Sequence, residues 1–586
     1  MNDIELHALA ARVEGPRLMK HLAAFARWTK HAGTQGELDS LAYVRAELDG
    51  YGYATELILH DAYISLPGAA SVSIAGETLP AITQSFSRSS PAGGLEGGVI
   101  PVGSGSPADF AARDVRGKIV LVEGIATPAV SQRAGRAGAI GQIHLSPSVN
   151  AHEMCISPVW GSPTDETAGN LPTTVVVTLA KADGDRLKDK LGSAPETLVT
   201  LNAAVDTGWR KTPILVASMD RAGAAADEPF VLFSGHHDTW YYGVMDNGGA
   251  NATMLEVARL SAGARNGWQR GLKIFFWSGH SQGRYSSSTW YADTHWEELA
   301  TRAVAHVNID STCAKGNTVL TDVQAAAELV PFSRKVIRAE GEQELFGHRI
   351  TRAGDQSFWG VGIPAMFSNL GEHPASGAAP AASFLFGGPN KQGAGTGWWW
   401  HTPEDTLDKM DEAIAVRDTR VYLHAVAGLL TARILPIDYA AHAGMLLAQI
   451  DGFAKSLGDR FDLAPLRTRA EGLRTRTEAL AAQAAGEHTQ EQAGRINACL
   501  MAVSRALVPV DYTSGDRFDH DPALAQPAYP SLAALGRLAA TSPGSDAEKF
   551  ATVAARRGVN RVLFALREAN AALDACLADL APEKGA

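Results

Sequence analysis

Two hydrophobic spacings alternate along the second third of the chain. Short apolar runs typical of buried strands occur at 214–218, 229–233, 272–277, 304–309 and 365–368. Apolar residues at helical spacing occur between or after them, at 250–260, 286–302, 323–338 and 411–434. Strands separated by helices of this length predict a largely parallel central sheet covered on both faces. Sites in such sheets lie at the carboxyl ends of the strands.

The remaining segments have different patterns. Two helical patterns at 17–31 and 37–49, followed by a strand at 54–59, predict the opening of an α/β domain. From residue 66, short β-like runs alternate with Gly/Ser/Pro turns, which predicts a mostly-β insert. From residue 439 the chain is rich in Ala, Leu, Arg and Glu and predicts long helices, for example 463–485 and 547–580. We therefore predict two parts of one α/β domain at 1–65 and 209–438, an insert at 66–208 and a helical domain at 439–586.

Length, net charge and cysteine spacing limit the possible size classes, binding partners and cellular compartments of the protein. A chain of 586 residues is too long for one hydrophobic core. Its net charge of -11 argues against nucleic acid or an anionic membrane as the main partner. The four cysteines are far apart, which suits a reducing compartment. The N-terminus has no signal-peptide pattern, and no apolar run is long enough for a membrane span. We expect a cytoplasmic protein.

Candidate chemistry is concentrated in the sequence FSGHHDTWYYGVMDNGGA at 233–250. An apolar strand ends there and is followed by His236, Asp238 and Asp246 in a Gly-rich loop. Imidazole and carboxylate groups are ligands of hard or borderline divalent cations, and glycines let the backbone fold closely around an ion. This stretch predicts a metal-holding loop.

Four motifs together resemble the M28 family of co-catalytic zinc peptidases. They are GHHD at 235–238, VMDNG at 244–248, VNIDS at 307–311 and WHTPEDT at 400–406. Within the insert, GKIVLV at 117–122 and AGAIG at 137–141 resemble a protease-associated (PA) domain. The combination is similar to the glutamate carboxypeptidase II and transferrin-receptor branch. The resemblance implies an α/β three-layer sandwich with an inserted mostly-β PA-like domain and a C-terminal helical domain that supports a homodimer.

The resemblance also implies a role for each matched residue. Asp246 would bridge two divalent metal ions, with His236 and Asp310 completing the first ion and His401 the second. Asp238 would orient His236 through its other ring nitrogen. Zinc is the first candidate, and one or two ions of zinc, manganese, iron or cobalt remain open. Two ions a few ångströms apart polarise a carbonyl and activate a water.

The chain departs from the family where a catalytic pair of glutamates is expected. After the strand at 272–277, Ser281 and Gln282 occupy the positions of the two glutamates, so Ser281 is a candidate catalytic residue and Gln282 a candidate metal ligand. Serine has no useful basicity at neutral pH, and a neutral amide oxygen is a weak zinc ligand. His280 is therefore the leading candidate for the base, or for an additional nitrogen ligand. A single metal with His401 as proton relay, or a metal-poor binding protein, are the other possibilities.

The prediction that follows is a metal-dependent hydrolase that cleaves an amide or peptide C–N bond in a small molecule or short peptide. A mononuclear lyase and a non-catalytic binding protein are the alternatives. Further candidates for substrate contacts or a pocket wall are His152, Glu153, Trp160, the run 387–397 and Trp398–Trp400. The segment 355–358 resembles the family's substrate loop, without an assigned role, and His237 is expected to point away from the site.

Overall fold

In the computed structural model, residues 1–225, 227–375 and 391–580 are described, and their strands form a single sheet. The strands are β1 (Ala54–Ile74), β2 (Glu77–Thr83), β3 (Leu95–Gly97), β4 (Val99–Pro101), β5 (Ile119–Glu123), β6 (Gly141–Leu145), β7 (Val175–Leu179), β8 (Val199–Met219), β9 (Phe230–His236), β10 (Gly271–Trp277), β11 (Ala303–Asn308) and β12 (Ala365–Met366). Across the sheet the order is β12-β11-β9-β10-β8-β1-β2-β7-β6-β5-β4, with β3 beside β8.

The expectation of a largely parallel central sheet holds for four of the five strands on which it was based. Strands β12, β11, β9 and β10 are mutually parallel, but β8 pairs antiparallel with both β10 and β1. The register of β1 with β8 runs from Ala54 opposite Ser218 to Ile74 opposite Val199. This long ladder carries the chain out to the insert and back, so it must be antiparallel. A run of apolar residues predicts a strand but not the direction of its partner.

The insert follows on these two strands without a break. The predicted boundaries at 65/66 and 208/209 fall inside β1 and β8, and the division into domains stays a prediction. Strands β4 to β7 form a second parallel set beyond β2. Their side chains pack a separate small core that includes Val72, Ile119, Ile143, Val177 and Leu201.

Helices cover the sheet and form the C-terminal part of the chain. They are α1 (Asp3–Ala10), α2 (Gly15–Phe25), α3 (Gln35–Gly50), α4 (Pro107–Ala111), α5 (Pro128–Arg136), α6 (Lys181–Ser193), α7 (Ala250–Gly263), α8 (Ser286–Thr294), α9 (Trp296–Arg302), α10 (Val330–Gly341), α11 (Glu412–Thr431), α12 (Tyr439–Leu457), α13 (Ala464–Ala484), α14 (Gln490–Tyr512), α15 (Ala533–Ala539) and α16 (Asp546–Leu580). The single helix predicted at 286–302 is two helices that meet at His295, whose ring stacks on Tyr291 at 3.9 Å.

Both faces of the parallel strands are buried. All residues of β9 and of β11 are buried, which explains their continuous apolar character. Buried polar contacts join the helical part to this domain: Glu328 Oε2 lies 3.0 Å from His442 Nδ1, and His442 Nε2 lies 3.0 Å from the Tyr529 hydroxyl. No helix in the described ranges is both long and apolar enough to cross a membrane.

Candidate metal centre

Three neighbouring parallel strands deliver the first group of side chains. His236 is the last residue of β9, His280 follows β10, and Asp310 follows β11. Because the carboxyl ends of parallel strands meet at one edge of the sheet, the three side chains converge there. One potential ligand atom from each residue lies within 4.8 Å of the other two. This group could hold one metal ion.

The Asp246 carboxylate lies between two imidazoles. Its Oδ1 is 3.0 Å from His236 Nε2, and its Oδ2 is 3.0 Å from His401 Nε2. The loop is held by Asp405, whose carboxylate accepts the backbone N–H of Met245 at 2.8 Å and of Asp246 at 3.0 Å. Each oxygen of Asp246 therefore faces a different ring, which is the arrangement of a carboxylate that can bridge two positions.

The insert positions His401. The ring Nδ1 of His401 donates to the backbone carbonyl of Glu153 at 2.6 Å, and the Glu153 N–H donates to the His401 carbonyl at 3.0 Å. His152 contacts the neighbouring Trp400 carbonyl through Nδ1 at 2.6 Å. Trp400 stacks on the His401 ring with centroids 3.6 Å apart. With Nδ1 fixed in this way, Nε2 is directed at Asp246.

The chemistry of these groups fits a bound cation. Nε2 of His236 and Oδ1 of Asp246 are buried, and neither makes a well-aligned hydrogen bond to any described residue. Burial opposes a charge on His236, yet Asp310 and Asp246 hold its pKa well above the usual value. Burial alone would raise the pKa of Asp246, but the two imidazoles hold it well below its usual range. The carboxylates thus favour a positive charge at this point, which a divalent ion would supply.

His280 is fixed by a second carboxylate. Its Nδ1 donates to Asp355 Oδ2 at 2.8 Å, and Asp355 Oδ1 accepts from the Ser288 hydroxyl at 2.8 Å. The ring stacks on His236 with centroids 3.8 Å apart and 15° between planes. With Nδ1 committed to Asp355, Nε2 of His280 is the nitrogen free to act at the site.

The structure changes the roles expected for two residues. Asp238 orients His236, but through its backbone carbonyl, 2.8 Å from Nδ1, whereas its carboxylate oxygen is 3.9 Å away. That carboxylate instead accepts the N–H groups of His280 at 3.1 Å and Ser281 at 2.8 Å. The expectation that Gln282 is a metal ligand is not supported. Its amide oxygen accepts the Ala32 N–H at 2.9 Å, and its NH₂ donates to the Thr239 carbonyl at 3.1 Å.

Other predicted site residues lie in several environments. His237 is buried away from the cluster, with Nδ1 2.7 Å from Asn251 Oδ1. Trp160 donates to the Ser357 hydroxyl at 2.9 Å and packs on Tyr285. Trp399 and Trp400 are buried, whereas Trp398 is exposed. The first part of the proposed wall, 387–390, lies outside the described residues.

Sequence reasoning missed two carboxylates that organise the site. Asp355 lies in the segment 355–358, which had no assigned role. Asp405 is part of the motif WHTPEDT at 400–406, but no role was predicted for it. Both are almost fully buried. Asp355 has polar neighbours, Gln356 and Ser357, so its local sequence gives no signal that the carboxylate is buried. The partner of this carboxylate depends on the folded loops.

Strand-end imidazoles and carboxylates on an α/β sheet form a ligand set that could hold a divalent metal ion. Residues 215–426 match the model of peptidase family M28. A relative with the name probable glutamate carboxypeptidase VP8, from Zea mays, is 23% identical over 495 residues, which cover 72% of this chain and 67% of that protein.

Two solved structures share the fold. The M28 peptidase precursor of Shewanella amazonensis has a TM-score of 0.57 at 15% identity, over 74% of this chain and 98% of that one. A zinc aminopeptidase of Bacillus subtilis has a TM-score of 0.54 at 18% identity, over 71% of this chain and 95% of that one. These similarities confirm the predicted M28-type α/β fold.

Proposed function

We propose that this protein hydrolyses an amide or peptide C–N bond in a small molecule or short peptide, with a divalent metal ion as cofactor. The observation that carries the proposal is the convergence of His236, Asp246, Asp310 and His280 at one sheet edge of an M28 domain. Zinc is the first metal to test, because imidazole and carboxylate suit it and the similar Bacillus subtilis enzyme is a zinc aminopeptidase.

The ion would be held by His236, Asp246 and Asp310. With these ligands, a divalent ion would polarise the substrate carbonyl and would lower the pKa of a bound water. The Asp238 carbonyl keeps Nε2 of His236 turned inward by accepting from Nδ1 at 2.8 Å. Ser311 donates its hydroxyl to Asp310 Oδ1 at 3.1 Å, which restrains that carboxylate. These contacts fix the ligand atoms before a substrate arrives.

His280 takes the part of the absent glutamate. We assign Nε2 of His280 as the acceptor of the proton released when water attacks the carbonyl. Asp355 holds the proton on Nδ1 at 2.8 Å and stabilises the ring when it becomes charged. The proton then passes from Nε2 to the leaving nitrogen. Ser281 lies next to this ring, but its backbone N–H is used to hold the Asp238 carboxylate.

A single ion per chain is the proposed stoichiometry. The second position would have Asp246 and His401 as ligands, and Gln282 does not contribute because both ends of its amide bind backbone groups. His401 then serves as a hydrogen-bond partner of Asp246 beside the substrate. The insert at 66–208 would close this side of the site, since Glu153 anchors His401.

The oligomeric state and the cellular compartment of the protein are also proposed. The helical segment 439–586 would support a homodimer, and the four free, buried cysteines suit a reducing compartment such as the cytoplasm. Sedimentation of the purified chain tests the dimer, and a mass equal to one chain at micromolar concentration would exclude it.

Metal analysis and turnover on the purified protein test the central proposal. We expect one divalent ion per chain and release of an amine and a carboxylic acid from a panel of aminoacyl, N-acyl and dipeptide substrates. His280→Ala should abolish turnover while the ion stays bound. Loss of the ion in this variant would reassign His280 to the ligands, and unchanged turnover would remove it from the mechanism. A product formed without uptake of water would favour a lyase.

A further inference from the structure

A cavity of about 460 Å³ lies at the end of the sheet opposite the metal centre. It is lined by residues at the beginnings of the parallel strands, among them Pro229, Arg270 and Val304, and by helix α14. Strands β9, β10 and β11 begin at this cavity, and their opposite ends lead to His236, His280 and Asp310. Their length separates the two places by roughly 20 Å. The cavity is therefore distinct from the metal centre.

The lining of this cavity is strongly basic. Four arginines contribute to it, against one carboxylate, Glu228. Both oxygens of Glu228 are engaged by Arg221, so this pair is internally neutral. The other three arginines, Arg270, Arg433 and Arg505, make no ion pair with any described carboxylate. A patch with three uncompensated positive charges is notable in a chain of net charge -11.

Two of these arginines are held in place by backbone carbonyls. Arg270 is 3% exposed and donates to the carbonyls of Leu429 and Ala432. Arg505 donates to the carbonyls of Ala300, Leu299, Ala303 and Gly362. Carbonyl oxygens satisfy N–H donors but do not neutralise the guanidinium charge. Burial lowers the pKa of each to about 10, which leaves both charged at neutral pH.

Free donors remain at the cavity. Arg270 uses two of the five N–H donors of a guanidinium in its contacts with described residues. Arg433 is exposed and makes no side-chain hydrogen bond within the described part of the chain. Gln490, the first residue of α14, and Asn497 on the same helix add uncharged polar groups to the lining.

We propose that this cavity binds a small multivalent organic anion with phosphate or carboxylate groups. Planar guanidinium groups match both of these oxyanions bidentately. The volume suits a molecule with more than one such group better than a single inorganic ion. The site is independent of the hydrolytic centre and of the metal.

Calorimetric titration of the purified protein tests the site with two probes, pyrophosphate and citrate. We expect saturable binding of at least one probe, and the stronger of the two identifies the phosphate or the carboxylate class. Affinity should fall as sodium chloride is raised, because the contacts are between charges. Absence of saturable binding of both probes up to millimolar concentration at low salt overturns the proposal.

Matched variants locate the binding. A Cβ added at Gly494, which lines the cavity on α14, meets no atom within 4 Å, so Gly494→Leu obstructs the cavity without a clash. Gly444 on α12 is equally open but does not line the cavity, and Gly444→Leu is the control. We expect Gly494→Leu to abolish binding and Gly444→Leu to preserve it. Equal binding by the two variants contradicts the proposed location.

Charge variants provide an independent readout. Arg433→Glu should weaken binding about tenfold or more, because it removes a charged hydrogen-bond donor and adds a repulsive carboxylate. Arg495 on the same helix is exposed, pairs with Glu491 at 2.8 Å and does not line the cavity. Arg495→Glu is therefore the control with the same change of charge. Equal weakening by both variants would indicate only a general charge effect and overturns the site.

Discussion

Replacement of Asp355 by asparagine tests whether a carboxylate fixes His280 for its role. Asp355 is 1% exposed and contacts only polar groups that an amide can also satisfy. In Asp355→Asn the amide oxygen can accept from His280 Nδ1, and the NH₂ can donate to the Ser288 hydroxyl oxygen. The fold should therefore be kept, while the charge that stabilises a protonated ring is lost.

The magnitude follows from the type of contact removed. A charge-assisted hydrogen bond of 2.8 Å becomes a neutral one of about half its strength. Loss of such a partner behind a functional imidazole typically lowers activity or metal affinity by about 10–100-fold. In free energy this range is about 1.4–2.7 kcal/mol. If His280 is the proton acceptor, the loss should be in kcat, with KM and metal content little changed.

Steady-state kinetics, metal analysis and thermal melting of the variant are the measurements. Ser288→Ala is the matched control, because it removes the contact to the other oxygen of Asp355 and leaves the His280 contact in place. We expect this control to lose less than about tenfold in kcat/KM. The reasoning is refuted if Asp355→Asn retains kcat/KM within about threefold of the wild type while Ser288→Ala does not.

Three further perturbations address other parts of the molecule. Gln282→Glu sets a carboxylate oxygen against the Thr239 carbonyl and should destabilise the fold by about 1–3 kcal/mol. We expect metal analysis of this variant to find no second ion, and two ions per chain would contradict this expectation. Glu328→Gln removes the carboxylate charge from the buried contact to His442 and should lower the free energy of unfolding by about 1.5–3 kcal/mol. Burial opposes a charge on His442, but Glu328 raises its pKa above 6.5. The stabilisation from this pair is therefore complete below pH 6.5 and is lost as pH rises through the pKa of His442 in the folded protein. Denaturant titrations should show a smaller difference in stability between Glu328→Gln and the wild type at about pH 9 than at about pH 6. Chelator treatment should lower both Tm and turnover, and one equivalent of zinc should restore both; full activity after chelation would exclude the metal.

The sequence predicts the metal-centre edge well because it depends on local signals. Apolar runs ending at His236 and before Asp310 place these residues at strand ends, and parallel strands bring their ends together. The direction of one strand was not predicted, because β8 is antiparallel to β10. An apolar run specifies burial, and only the chain's path through the insert decides its direction.

Contacts between distant segments could not be predicted in the same way. His401 and Glu153 are 248 positions apart, and their contact joins a ring nitrogen to a backbone carbonyl, which exists in every residue and leaves no pattern. The position of Gln282 was predicted from spacing, but spacing does not give the direction of a side chain. The amide turned to Ala32 and Thr239 because two backbone groups in a buried loop required partners.

Charge balance gives an argument for one ion that is independent of ligand counting. Two carboxylates, Asp246 and Asp310, lie within 3.3 Å of His236 Nε2, and together they neutralise one divalent ion. A second ion beside His401 would share Asp246 and meet no further carboxylate among the described ion-pair partners of these groups. Asp355 is committed to His280 instead. An uncompensated divalent charge at a buried position is unfavourable, so this balance of charges favours one ion over two.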